Sequence, residues 1–283
     1  MLKVDLHSHS TVSDGLLSPR ELVRYAAEQG VGVLALTDHD DVAGMPEARE
    51  EAAARGLRLV PGTEISVTWR RRTIHIVGLR IDAEDAALTA GLARLRESRF
   101  ERARRIAAEL EKVGIPGSLE GAMRYASERI ISRTHFARFL IEAGHAADMK
   151  GVFRKYLIKG RPGHVEHIWA ELHEALEWIH GAGGIAVIAH PGRYDLGPTL
   201  LQELFTEFCE LGGRAVEVVS GSHSPDEFGR FSDLAKRFGL LASRGSDYHG
   251  PGHSYVDMGR LAALPASCTP VWHDWHEVLE AAA

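Results

Sequence analysis

IAVIAHPGR, residues 185–193, runs a short β-type apolar stretch straight into His190, Pro191 and Arg193. The same pattern of an apolar run ending in a polar, chemistry-bearing residue recurs along the chain. Strand candidates are 4–8, 33–37, 57–65, 73–79, 185–189, 215–220 and 240–245. Amphipathic helix candidates lie near 18–29, 44–55, 170–181, 199–211 and 225–238, two of them opening on the caps Ser18-Pro19 and Ser224-Pro225. Seven strands, most separated by helices, predict an α/β fold of parallel βα units, closed into a barrel or laid in an open sheet. Residues 84 to 165 break that rhythm with several helices in a row. The expected organisation is a barrel of residues 1–93 and 166–283 with an inserted helical cap at 94–165.

Composition agrees with a globular enzyme of this size. The 283 residues are 45% hydrophobic and 25% charged, which excludes disorder, and 29 Gly with 11 Pro exclude a coiled coil. No apolar run is long enough to span a membrane. The start MLKVDLHSHS has no signal-peptide stretch, so a cytoplasmic address is expected. Cys209 and Cys268 lie far apart and read as reduced thiols. The net charge of −6 is unevenly spread, because residues 94–161 hold 16 Lys and Arg against 8 Asp and Glu. That basic segment is either a solvated helical face or a module facing an anion, and the overall charge argues against duplex DNA as a partner.

The 16 histidines point to metal. Strand one runs into His7 and His9, strand two ends in Asp38-His39, strand three ends near Glu64 and strand four carries His75. Strand five leads to His190, strand six carries Glu217 and leads to His223, and strand seven ends at Asp247 and His249. Parallel α/β folds build their sites at the carboxyl ends of strands, so this set converges on one rim. His7 and His9 are two apart on an extended segment and turn to the same side, as do Asp247 and His249. Imidazole and carboxylate donors without thiolate suit Mn²⁺, Fe²⁺ or Zn²⁺, and their number implies two or three ions.

DLHSHSTVSDG (5–15), LTDHD (36–40), GTEIS (62–66), TIHIVG (73–78), AHPGR (189–193) and GSDYHG (245–250) together resemble the PHP (polymerase and histidinol phosphatase) domain, a relative of the amidohydrolases. The resemblance implies a distorted seven-stranded (β/α) barrel with a trinuclear metal centre. It implies that His7, His9, Glu64 and Asp247 hold a first ion, that Glu64 bridges to a second held by His75 and His190, and that Asp14, His39 and His249 hold a third. Manganese is the expected metal. Three carboxylates facing three divalent ions leave a formal excess of +3, which suits a phosphate substrate attacked by a metal-bridging hydroxide. His223 and Asp247 are expected to move the proton to the leaving alcohol, and Asp38 to orient a ligand.

The inserted helices are expected to choose the ester. Ser132-Arg133-Thr134 opens a helix with Arg138 one turn in, and KYLIKGRPGH (155–164) adds Lys159 and Arg161. A helix N-terminus flanked by arginines suits a second, non-reacting phosphate, whereas the simpler reading is that Ser132 only caps the helix. Arg193 and His223 are further expected substrate contacts, and His135 and His164 possible ones. His145, His173, His180, His253, His273 and His276 read as helix, loop or tail residues. The pairing of SRTHFAR with KYLIKGRPGHV is similar to a subgroup that removes the 3′-phosphate from nucleoside 3′,5′-bisphosphates or degrades 5′-phosphorylated RNA from its 5′ end. Rival readings are a histidinol-phosphate phosphatase, an amide- or lactone-hydrolysing relative, and a non-catalytic regulatory module. No membrane and no obligatory protein partner is expected.

Overall fold

In the computed structural model, which describes residues 2–276, seven strands lie side by side in chain order. They are β1 (Lys3–Asp5), β2 (Val31–Leu36), β3 (Arg58–Trp69), β4 (Arg72–Leu79), β5 (Ile185–Ile188), β6 (Ala215–Ser220) and β7 (Leu241–Gly245). The sheet curls until its edges meet beyond the ends of β1 and β7. There Leu6 N–H donates to the Arg244 carbonyl (3.0 Å), Asp247 N–H to His7 (3.0 Å) and His9 N–H to Tyr248 (2.8 Å). The result is the expected seven-stranded, nearly closed and distorted barrel.

One expectation is corrected. The strands are not all parallel: β4 runs antiparallel to both β3 and β5. The reason is local. β3 continues past Glu64 to Trp69, and only Arg70 and Arg71 separate it from β4, whereas a parallel partner needs a crossover of a dozen or more residues. Both turn residues adopt left-handed φ (46° and 61°), the geometry of a tight hairpin. Glu64 therefore sits within a strand rather than at its end. Reversal of β4 places His75, early in that strand and opposite Ser66, toward the same rim.

Helices α1 (Pro19–Glu28), α2 (Met45–Arg55), α3 (Ala86–Glu111), α4 (Ser118–Met123), α5 (Arg133–Glu142), α6 (Met149–Val152), α7 (Leu172–Gly181), α8 (Pro198–Glu210) and α9 (Pro225–Phe238) complete the chain. Period-two alternation divides the apolar residues of the sheet. Val33, Ala35, Val60, Val77, Val187 and Ala215 cluster with Val271 and Trp275 of the C-terminal segment. Ile65, Val67, Ile74, Ile76, Ile188 and Val216 point the other way, onto Leu176, Ile179, Phe205 and Phe208 of α7 and α8. Glu64 shares the face of Val60 and lies opposite Val77, so the polar rim rests on the first apolar cluster.

The long helix α3 belongs to two cores. Its early residues Leu88, Leu92 and Leu95 pack into the layer around the barrel, and its later residues Ala103, Ile106 and Leu110 pack with Ile131, Phe136, Leu140 and Leu157. Residue 94, the expected start of the insertion, thus falls inside a continuous helix, and the change of core comes about two turns later. Among the described residues no helix is long and apolar enough to cross a membrane.

Candidate metal centre

The segment after β1 presents both histidines inward while Ser8 is tied to β2, its hydroxyl donating to Ala35 O at 2.6 Å. His7 Nε2 and His9 Nε2 come within 3.1 Å of each other. Glu64 Oε2 lies 3.3 Å from each, and Asp247 Oδ1 lies 3.1 Å from His9 and 3.6 Å from His7. The other Glu64 oxygen, Oε1, stands 2.8 Å from His75 Nδ1 and 2.9 Å from His190 Nε2. Asp14 Oδ1 is 3.3 Å from His249 Nε2 and 3.9 Å from His39 Nε2, and His39 Nδ1 is 2.9 Å from Glu64 Oε2. All nine side chains singled out from the sequence are brought together around the Glu64 carboxylate.

Their donor atoms close into three groups: His7, His9, Glu64 and Asp247; His9, Asp14, His39 and His249; and His39, Glu64 and His75. The first matches the expected set. The second adds His9 to the expected trio, and the third has His39 where His190 was expected, with His190 on the same Glu64 oxygen. Asp14 Oδ1, His39 Nδ1 and Glu64 Oε2 are buried and, although 2.9–3.9 Å from imidazole or carboxylate atoms of the set, make no hydrogen bond of acceptable geometry. Buried carboxylate and imidazole atoms left unpaired at the focus of such a set fit bound divalent cations.

Charge in the cluster is self-consistent. Burial alone would raise Asp14, Glu64 and Asp247, but the surrounding histidines hold all three well below the usual carboxylate range. Burial, with His249 and His39 nearby, lowers His9 to about 3, and burial lowers His75 to about 4. Burial also works against charge on His249, yet Asp14 and Asp247 outweigh it and raise the ring to about 9. His7 is likewise raised well above its ordinary value, because Glu217, Glu64 and Asp247 overcome its desolvation. Neutral rings are competent ligands, and the protonated ones supply the positive charge that ions would replace.

Glu217 has a role that its place in AVEVVS left unread. One oxygen accepts from His7 Nδ1 (2.7 Å) and the other from the His190 backbone N–H (2.6 Å). It thereby fixes which His7 nitrogen faces the cluster and holds the His190 turn. A Cβ on Gly245 would lie 2.2 Å from His7 Cβ, so only glycine lets β7 pass behind this pair. His190 and Asp247 adopt left-handed φ (26° and 55°), local strain of the kind found at functional sites. The sequence places Glu217, a carboxylate inside an otherwise apolar strand, among the residues converging on the rim but says nothing of its partners.

The other expected catalytic residues lie one layer back. Asp38 accepts from Ser10 N–H (2.7 Å), Ser10 Oγ (2.7 Å) and Ser13 Oγ (2.6 Å), which pins the loop leading to Asp14. His223 packs on Phe231, its Nδ1 within 3.2 Å of Val218 O, and its Nε2 accepts from Gly192 N–H (3.0 Å). Both of its nitrogens are occupied, so it braces the turn after His190. Asp247 uses its second oxygen to hold Arg193 (2.6 Å).

The inserted helices reach down to the ligand-bearing loops. Ser132 caps α5 through Thr134 N–H and also donates to Asp14 Oδ2 (3.1 Å), while its own N–H is taken by His135 Nδ1. It therefore does more than cap. Arg138 donates to the Asp14 carbonyl (2.7 Å). Arg99 pairs with Asp40 in a buried contact (2.7 Å) and Arg129 with Asp41 (2.6 Å), so both residues following His39 are fastened to the insertion. Ser132 and Arg138 were singled out from the sequence; the pairs Arg99–Asp40 and Arg129–Asp41 were not.

Beside the cluster opens a cavity of about 1230 Å³. Its lining holds eight Arg or Lys, among them Arg102, Arg133, Lys159 and Arg193, against three carboxylates, and includes His164. Burial together with Arg133, Arg99 and Arg105 lowers Arg102 to about 8, and burial with Arg193 and Arg99 lowers Arg133 to about 10. This is the signature of cations crowded without enough counter-charge. Arg161 is elsewhere: it lines a separate cavity of about 450 Å³ with His145, Arg154 and Lys155. Arg102, Arg105 and the hairpin arginines 70–72 complete the main cavity and were not anticipated.

A family model described as the PHP domain matches residues 5–190. The 3′,5′-nucleoside bisphosphate phosphatase of Chromobacterium violaceum is 52% identical over 97% of this chain and 96% of its own length. The 5′-3′ exoribonuclease Rnm of Salmonella typhimurium is 48% identical over 96% of this chain and 94% of its own. A solved structure from Bifidobacterium adolescentis, described as that of a metal-dependent phosphoesterase, superposes with a TM-score of 0.80 at 26% identity, covering 99% of this chain and 95% of that one.

Proposed function

The chain belongs to the PHP domain family, and on that premise we propose that it is a metal-dependent phosphoesterase releasing the 3′-phosphate of nucleoside 3′,5′-bisphosphates and cleaving 5′-phosphorylated RNA from its 5′ end. The observation that carries the reading is Arg193, which pairs with Asp247 of the donor cluster and at the same time lines the cationic cavity. One anion at the cluster and a second in the cavity would be joined by this residue.

His7, His9, Glu64, Asp247, Asp14, His39, His75, His190 and His249 would hold two or three divalent ions, manganese foremost. When bound, such ions supply Lewis-acid stabilisation of phosphoryl charge and a nucleophile from water at neutral pH. Arg193 would orient the reacting phosphate. Arg133 and Lys159, with Arg102 behind them, would grip the 5′-phosphate, and bidentate guanidinium contacts would set the distance between the two. Water oxygen adds to phosphorus, the bond from phosphorus to O3′ breaks, and a proton goes to the departing O3′. Where the 3′ group is a monoester, phosphate leaves; where it is a diester, a nucleoside 5′-monophosphate leaves. Glu217, Asp38 and His223 act as positioning residues for His7, the Asp14 loop and the His190 turn. The inserted helices, from the second half of α3 to about residue 165, serve as the cap that carries the second phosphate site. The reading places the reaction in the cytoplasm, with nucleotide or short RNA as the partner.

The test uses Mn²⁺-loaded protein with adenosine 3′,5′-bisphosphate and chromatography of the products. The expected products are 5′-AMP and phosphate, with 3′-AMP a poor substrate. Metal-loaded protein that leaves the bisphosphate intact would sink the assignment and return attention to histidinol phosphate and other monoesters.

A further inference from the structure

The cavity is larger than a single nucleotide requires. Pockets that enclose one drug-sized ligand span roughly 300–1,000 Å³, against about 1230 Å³ here. A bisphosphate presents two phosphates, and the reading above assigns one to the metal cluster and one to Arg133 and Lys159. That leaves the wall made by the β3–β4 hairpin without an anion. Arg70, Arg71 and Arg72 follow one another across the turn and all line the cavity. Arg70 is engaged by Glu203 of α8. Arg71 is almost fully exposed, with Glu166 3.6 Å away, and Arg72 has no ion pair among the described residues. Arg105, on α3, also lines the cavity, its guanidinium bonded to the Glu166 carbonyl and to His167.

The turn chemistry strengthens the point. A two-residue hairpin with left-handed φ at both positions favours Asn and Gly, and arginine at both positions gains nothing for the turn. With Arg70 held by Glu203, the charge of Arg71 and of the following Arg72 lines the cavity shared with the second phosphate site. We propose that Arg71 and Arg72 of the hairpin tip, with Arg105, form a track for the phosphates of an RNA strand beyond its first nucleotide. The proposal rests on the phosphoesterase reading and extends it from the first nucleotide to the strand that follows. The track gives single-stranded oligonucleotides contacts that a mononucleotide cannot make, through the backbone and independent of base.

The experiment measures binding, with metal-loaded protein and 3′-fluorescent, 5′-phosphorylated RNAs whose phosphorothioate linkages resist cleavage. A dinucleotide and an octamer are compared by anisotropy across a salt series, for the wild-type chain, Arg71→Gln/Arg72→Gln, and Arg49→Gln on α2 as a charge control outside the cavity. The wild type is expected to bind the octamer more tightly than the dinucleotide. The double variant is expected to lose about tenfold of that preference. Its slope of log affinity against log salt should shrink by roughly 0.7 for each phosphate contact removed. Arg49→Gln should keep both the preference and the slope. A double variant with unchanged preference and slope overturns the track, as does a wild type that binds both lengths equally. If neither RNA binds, the 5′-phosphate site fails together with the track, so loss of the underlying reading is distinguished from loss of the extension alone.

Discussion

Glu217→Gln is the most informative single change, because its two bonds can be followed separately. The carboxylate accepts from His7 Nδ1 at 2.7 Å and from His190 N–H at 2.6 Å, and it is almost completely buried. Glutamine has nearly the same shape but only one acceptor oxygen, so its NH₂ must face either the His7 or the His190 donor. One hydrogen bond to a charged group is lost, worth about 1.5–3 kcal/mol. At 1.4 kcal/mol per factor of ten, that is roughly a 10- to 150-fold loss, in line with the 10- to 100-fold typical of residues that orient metal ligands. The assay is calorimetric Mn²⁺ titration of the metal-free protein, paired with metal content after gel filtration. Weaker binding of Mn²⁺ by at least tenfold, with a circular dichroism spectrum like the wild type, is the expected result. Wild-type metal affinity in the glutamine variant would refute the argument that Glu217 positions His7 and His190.

Three further outcomes are expected. Arg133→Ala should erase most of the preference for a 3′,5′-bisphosphate over a 3′-monophosphate, raising KM for the former more than it changes kcat; equal losses on both substrates would remove Arg133 from the second phosphate site. Chelation should lower the melting temperature as well as stop turnover, since each ion at a hundred times its Kd adds about 2.7 kcal/mol of stability, and scanning calorimetry with and without chelator reads this directly. His135 sits at about 4 in the folded chain, chiefly through burial, against an ordinary 6.5. Between those values the unfolded chain binds the extra proton, so this contribution is complete above pH 6.5 and is lost as pH falls through 4, by at most about 3 kcal/mol. His135→Gln keeps an acceptor at the same capping position, so in the metal-free protein it should flatten the stability profile over that range; urea titrations that keep the wild-type slope would contradict this.

Much of the site was legible because its signals are local. A strand of apolar residues that ends in His190-Pro191, or a pair such as His7 and His9 two apart, exposes its role within a few residues. Seven strands and the order of their polar ends followed from the same periodicity. The direction of β4 was misread because seven residues, 66–72, seemed to separate it from β3, whereas the alternation of ISVTW carries β3 on to Trp69. Ser132 was read as either a cap or a ligand contact, and its hydroxyl in fact caps α5 and bonds Asp14.

The amino-acid sequence by itself determined the residue types, their alternation and their order, and hence seven strands with polar ends and the basic character of the insertion, while the barrel and the set of nine donors followed from the family resemblance of its motifs. Only the tertiary structure decided which groups meet across long stretches of chain. His7 and Glu217 are 210 residues apart in the sequence, Arg99 and Asp40 are 59 apart, and Arg161 parts company with Lys159 only two residues away. Periodicity dictates which way a side chain points from its own element, and that is a short-range property. Which side chain it faces depends on how the sheet closes and how the helices pack over it, and that follows from burying the apolar surfaces of the whole chain together.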